Sequence, residues 1–208
     1  MPANFAKLGD GRYICKICQK TSVSDLAKVK RITEEVRKQM SKELYLKTEH
    51  DIKYQMVSQN ELKGKTSHQH QGIELGLYRF EQTIQTKTTS RTFLGKTTKA
   101  TEEFIKDESH TIYFLYGIPE DKLREVAAHE LAHDWMQEYY PEITDLKVKE
   151  GWAEFVASRL NLINGRVKMN LRMQKNPDPI YGEGYRMIKT LSEQDDPEAI
   201  FKMFEKAK

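Results

Sequence analysis

The feature that most constrains this chain is a pair of helical segments folded back on each other at a proline, because that pairing decides which side chains can meet. Gly117-Ile118-Pro119 breaks a preceding apolar run, and Pro119 suits the first helical position. Glu120 and Asp121 complement the positive end of a helix expected to run to Tyr140-Pro141. A second helix is expected from Asp145, a good N-cap, with Leu146, Trp152, Phe155, Val156, Leu160 and Ile163 at helical spacing and a stop at Asn164-Gly165. So short a turn makes the two an antiparallel hairpin.

The first of these helices contains His129-Glu130-Leu131-Ala132-His133, an H-E-x-x-H pattern. Residues four apart stand one above the other on a helix, so both imidazoles can aim at one tetrahedral zinc, while Glu130, about 100° round, reaches a water held there. A hydrolytic zinc site needs a third protein ligand and an open position, and the second helix offers Glu150. Glu154, one turn further on, can hydrogen-bond the far nitrogen of a ligand imidazole. The plainer alternatives are two histidines that merely share a helix and a solvated acidic face at Glu150 and Glu154.

The rest of the chain supplies a scaffold. Leu26, Val29, Ile32, Val36, Met40 and Leu44 recur every three or four residues, predicting an amphipathic helix from Ser24 to about Lys47. Residues 51–60, 72–84 and 109–116 read as strands from their alternation and their aromatic and β-branched content. The Thr- and Lys-rich piece between the last two fits either a further hairpin strand around Arg91 to Leu94 or a loop. After the turn-rich stretch from Asn176 to Pro179, helices are expected over Tyr181 to Leu191 and from Pro197 to the end. The fold class is therefore α+β: a small, mostly antiparallel sheet from residues 51–116 packed on the hairpin of residues 119–164, with almost no strand after the H-E-x-x-H helix.

Composition excludes several classes. Thirty-four Lys and Arg against thirty-one Asp and Glu leave +3, too small an excess for nucleic-acid binding by charge alone. The basic Ser24 to Lys65 region also lacks the aromatic interleaving of an RNA-binding surface. No stretch approaches the roughly 18 apolar residues of a membrane span, and the N-terminus lacks the apolar core of a signal peptide, so a cytoplasmic protein without a membrane partner is expected. Two cysteines, Cys15 and Cys18, stand in C-x-x-C spacing, which in such a chain suggests metal or redox chemistry more than a structural disulfide. A thioredoxin-like role needs a βαβ context, and none follows.

His-Glu-x-x-His followed by Glu-Gly on a second helix resembles the gluzincin metallopeptidases. The landmarks are most similar to the peptidase domain of the DA-one family, the plant LIM-domain, ubiquitin-activated organ-size peptidases. They are Asp10-Gly11-Arg12 with Cys15 and Cys18, the His-rich stretch from His68 to Leu75, Ile112 to Pro119, His129 to Trp135, and Glu150-Gly151, together spanning about residues 8 to 165. The resemblance implies a zincin-like zinc peptidase over residues 23–208, with His129, His133 and Glu150 as metal ligands and Glu130 as general base. It implies a protein or peptide substrate and ubiquitin as a candidate partner. It also implies that residues 1–22 are the end of a LIM-like zinc finger. In that family a second cysteine pair lies upstream, and this chain begins too late to contain one. Cys15 and Cys18 thus belong to the tail of a longer protein or are a relic, unless His50, His68 or His70 completes their site. Glu154 stands where the plant proteins tend to carry Gln.

Peptide hydrolysis also calls for a donor to the developing oxyanion. Tyr181 and Tyr185 in the Y-G-E-G-Y segment are the favoured candidates, ahead of His68 and His70, although both tyrosines would equally fill a core. A strand beside the active-site helix binds substrate backbone in zincins generally, and Ile112 to Tyr116 is expected in that place. The alternative of another class is a catalytically silent, peptidase-like protein-binding module, for example one that binds ubiquitin. An intact Glu130 between two ligand histidines argues against it, since a binding surface has no use for a general base.

Overall fold

The computed structural model describes residues 5–66, 74–93, 96–193 and 198–207, with side chains at 91–97 left aside. At the N-terminal end β1 (Phe5–Lys7) and β2 (Tyr13–Cys15) form an antiparallel hairpin that leads into the short α1 (Lys16–Lys20) and β3 (Ser22–Val23). The Asp10-Gly11-Arg12 turn of this hairpin grips the body of the protein. Arg12 donates to the Tyr116 carbonyl at 2.6 Å, and the Asp10 amide donates to the Tyr116 hydroxyl at 2.6 Å.

Next comes α2 (Leu26–Leu44), capped by Asp25, whose carboxylate accepts from the Ala27 amide. Its buried Val29, Ile32, Val36 and Met40 form one stripe, and Tyr45, left-handed at φ 58°, ends it. Strand β4 (Ile52–Val57) follows, then α3 (Gln59–Lys63), which Ser58 and Glu61 open as a capping box. Residues 58–60, expected at the end of a strand, thus belong to a helix start.

The Thr- and Lys-rich piece is strand on both sides of Leu94 and Gly95, which lie outside the described residues. Strands β5 (Gly76–Phe93) and β6 (Lys96–Leu115) pair antiparallel along their whole length, and residues 81–90 and 98–108 form an exposed two-stranded ribbon that leaves the body. The sheet order is β4-β6-β5, with β4 parallel to β6. Antiparallel pairing therefore dominates without being complete. The reason is the route of the chain: it crosses by α3 to the far edge, runs out along β5, and returns as β6 between the two strands already laid down.

Strand β7 (Ile118–Pro119) pairs with β3 and leads into α4 (Glu120–Tyr139), with Pro119 at the N-cap. Buried positions run all round α4, among them Leu123, Val126, Ala127, Ala128, Leu131 and Trp135, which makes it the central helix. Helix α5 (Leu146–Ile163), capped by Asp145, folds back on it, and the Trp135 and Trp152 rings meet at 5.2 Å. Helix α6 (Val167–Gln174) was not legible in the sequence; α7 (Tyr181–Ser192) and α8 (Ala199–Lys206) complete the chain. Among the described residues every strand precedes α4, and no helix is long and apolar enough to cross a membrane.

Candidate metal and active site

Helix α4 sets His129 and His133 one turn apart, and α5 brings Glu150 opposite them. The Nε2 atoms of the two histidines lie 3.2 Å apart, and Glu150 Oε2 lies 3.0 Å from His129 Nε2 and 3.4 Å from His133 Nε2. Ligands about 2.0–2.1 Å from a tetrahedral zinc stand roughly 3.3 Å from one another. Three donors at such separations fit that ion. Glu154 Oε1 lies 3.4 Å from His129 Nδ1, on the side of the ring away from Glu150.

Glu130, one position along α4, faces the strand. Its Oε2 accepts the Tyr78 amide proton at 2.7 Å, and the residue is 5% exposed. This contact requires β5 to press on the helix at Gly76, where a Cβ would stand 2.4 Å from Val126 Cγ1 and 2.7 Å from Glu130 Oε1. The helix hairpin and α7 are equally close. A Cβ on Gly151 would stand 2.4 Å from the Gly184 carbonyl carbon, so the glycine after Glu150 and the second glycine of Y-G-E-G-Y let two helix backbones touch.

That backbone contact places Tyr181 and Tyr185 differently. The Tyr181 ring stacks on His129 with centroids 6.2 Å apart and lines the cavity. Tyr185, one turn on, is 1% exposed, points into the core and meets the Ser158 hydroxyl at 3.0 Å. Tyr185 is therefore no oxyanion donor. The two tyrosines share a face of the helix, and position along it divides them: Tyr181, in the first turn, stands at the cavity, while Tyr185, one turn on, lies against Ser158 of α5. His68 and His70 fall outside the described residues.

The strand expected to receive substrate also changes. Over residues 110–115, β6 is central, bonded to β4 on one side and β5 on the other, so Ile112 to Tyr116 has no free edge. The edge at the cavity belongs to β5. Leu75 offers its carbonyl to Leu115 on β6, so by alternation Gly76, Tyr78 and Phe80 point their backbone groups outward, as the Tyr78 to Glu130 bond shows for one of them.

The cavity, about 1050 Å³, is lined by Glu74, Glu125, Glu130, Glu150, Glu154 and Asp178 against Lys122 and Lys149. Burial, reinforced by Glu130 and Glu150, pushes the Glu74 carboxyl up to about 7. Burial likewise raises Glu130, while His129 and His133 oppose the rise. Burial also works to keep protons off His129, yet the Glu150 and Glu154 carboxylates outweigh it and hold that ring well above its usual range. Glu150 is held far down despite burial, by His133 and then His129. The carboxylates that favour a proton on the His129 imidazole would favour a divalent cation in the same place. Glu74 and the Tyr78 amide escaped sequence reasoning, because only the fold brings β5 to the helix. Gly76, inside an apolar strand, was the available signal.

Cys15 and Cys18 are free, partly buried thiols, with the Cys18 amide donating to Cys15 Sγ at 3.3 Å. Among the described residues neither joins a group of three metal donors. His50 does not complete their site: its two nitrogens face Asp134 and Glu138.

No family model matches the chain, and no solved structure matches it. It is similar to Protein DA1-related 3 of Arabidopsis thaliana, 21% identical over 168 residues, which take in 75% of this chain and 37% of that protein. The chain thus spans little more than a third of the relative's length. The likeness is distant and points to the DA1-like proteins.

Proposed function

We propose that the chain is a zinc metallopeptidase that hydrolyses peptide bonds in protein or peptide substrates. The observation that carries this reading is the convergence of His129, His133 and Glu150 at zinc-ligand spacing beside a buried Glu130. The distant likeness to a DA1-related protein supports it.

His129, His133 and Glu150 would hold the ion, which when bound supplies a Lewis acid and acidifies water. Glu130, fixed by the Tyr78 amide, takes the proton from the attacking water and returns it to the leaving amine. Burial favours the protonated form of Glu130, which suits the second half of that task. Burial and the surrounding carboxylates, Glu150 first, raise Tyr181, so its hydroxyl keeps its proton and can donate to the developing oxyanion. The outward backbone groups of Gly76 and Phe80, with the Tyr78 carbonyl, give an extended peptide a strand to pair with. Glu154 holds the orientation of His129.

The test is Glu130→Gln, assayed on unfolded protein and on a mixed peptide library by mass spectrometry. The variant keeps its zinc and its fold and loses at least about 100-fold in cleavage rate, because Gln accepts no proton. Zinc-loaded wild type that cleaves nothing yet binds a protein such as ubiquitin would make the chain a binding module.

A further inference from the structure

One turn beyond Glu130, on the sheet side of α4, lies a cluster that the proposed chemistry does not use. It joins Asp134 of α4, His110 of β6 and His50 of the segment between α2 and β4. Asp134 is completely buried and His110 is 4% exposed. Asp134 Oδ1 lies 2.9 Å from His50 Nδ1 and 3.2 Å from His110 Nδ1. The other oxygen, Oδ2, accepts the Thr48 hydroxyl at 2.5 Å. The Tyr78 hydroxyl stands 2.7 Å from His110 Nδ1, and His50 Nε2 faces the Glu138 carboxylate.

We infer that His50, His110 and Asp134 form a second metal site, structural in character, that takes a zinc ion with the Tyr78 hydroxyl as an available fourth donor. The inference is independent of the peptidase reading. Its first support is geometric. Both imidazole nitrogens converge on one carboxylate oxygen at separations like those of the His129, His133 and Glu150 set, close to the roughly 3.3 Å expected across a tetrahedral zinc. The outer contacts are those that ligands of this kind use: a carboxylate on the far nitrogen of His50 and a hydroxyl on the far oxygen of Asp134.

The second support is charge. A fully buried carboxylate needs a cation close by. Among the described residues no Lys or Arg pairs with Asp134. The nearby Arg37 spends its guanidinium on the carbonyls of Thr48 and His50, at 2.8 and 2.9 Å. A divalent ion meets the need, and two imidazoles with one carboxylate suit zinc.

The rings of His50 and His110 stack with centroids 3.7 Å apart. Binding turns one of them so that both lone pairs reach a common point, and His50, on a connecting segment and 15% exposed at its side chain, is the ring with room to move. An ion here would tie α4 to β6 and to the chain leaving α2. Through Tyr78 it would also steady the residue whose amide holds Glu130.

Zinc is counted by elemental analysis on the full chain, refolded with excess zinc and freed of loose ion by gel filtration, in a Cys15→Ser, Cys18→Ser background that removes thiol binding. The inference expects about two zinc ions per chain, about one in Asp134→Asn or His50→Gln, and about one in the His129→Ala, His133→Ala double variant. Cobalt replacing zinc in that double variant should give the absorption of a four-coordinate nitrogen and oxygen site, and Asp134→Asn should abolish it. One zinc in the parent, lost with His129 and His133 and unaffected by Asp134→Asn and His50→Gln, overturns the inference and leaves the peptidase reading intact. One zinc lost only with Asp134 or His50 supports the inference and removes the catalytic site instead. Should Asp134→Asn fail to fold, the His50→Gln count and the cobalt spectrum of the double variant decide.

Discussion

Gly151→Ala probes the contact on which the geometry of the site depends. The added methyl would stand 2.4 Å from the Gly184 carbonyl carbon, 2.6 Å from its oxygen and 2.8 Å from its Cα, where ordinary contact begins near 3.4 Å. Helices α5 and α7 must therefore part by about 1 Å, and since the obstacle is backbone it cannot swing aside. Overpacking of this kind costs about 1–3 kcal/mol, here at the upper end. Replacing Gly by Ala inside a helix returns about 0.8–1.0 kcal/mol, leaving a net loss of about 2 kcal/mol. In urea, with chelator present so that metal binding does not mask the effect, the midpoint should fall by roughly 1 M. The displacement also carries Tyr181 away from His129, and a misplacement of about 1 Å can cost on the order of 100-fold in rate. Gly64→Ala is the control: the nearest atom to its new methyl lies at 3.5 Å and its φ is −70°. It should stay within about 0.5 kcal/mol of wild type. If Gly151→Ala matched that control in stability, the two backbones would not be in contact and the placement of α7 beside the site would be wrong.

Glu154→Gln should weaken zinc affinity or turnover by roughly 10 to 100-fold, since it acts only through His129, while Glu150→Gln should lose the ion; competition with a chromogenic chelator ranks the two. Tyr181→Phe should lower kcat roughly 100-fold with little change in KM, and an unchanged kcat would remove its hydroxyl from the reaction. In the metal-free protein Glu74 gives a pH signature. Its carboxyl sits at about 7 in the folded chain against 4.5 when unperturbed, so the folded state holds the extra proton between those values and stability falls as pH rises through them. Glu74→Gln should therefore gain on wild type in denaturation between about pH 5 and pH 8, and parallel curves for the two would refute the burial of that charge.

What the sequence determined by itself is local. Asp25 and Asp145 fix the starts of α2 and α5, Pro119 with two acidic residues opens α4, and a spacing of four puts His129 and His133 on one face, because capping, dipole and helical period act within a few residues. The likeness of Glu150 to a third ligand was legible for the same reason, once the turn at Pro141 made the helices a hairpin. Only tertiary structure decided the rest. Whether β5 or β6 holds the free edge depends on how the chain crosses the sheet, which no alternation of side chains encodes. Tyr181 stands at the cavity and Tyr185 in the core because of where α7 lies along α5, a placement set by the contact of Gly184 with Gly151, residues more than thirty apart. Glu74 and the Tyr78 amide join the site, and His50 meets His110 and Asp134, through the same long-range packing. Hydrogen bonds and desolvation act over a few ångströms in space, and separation along the chain does not reveal which distant residues will come that close.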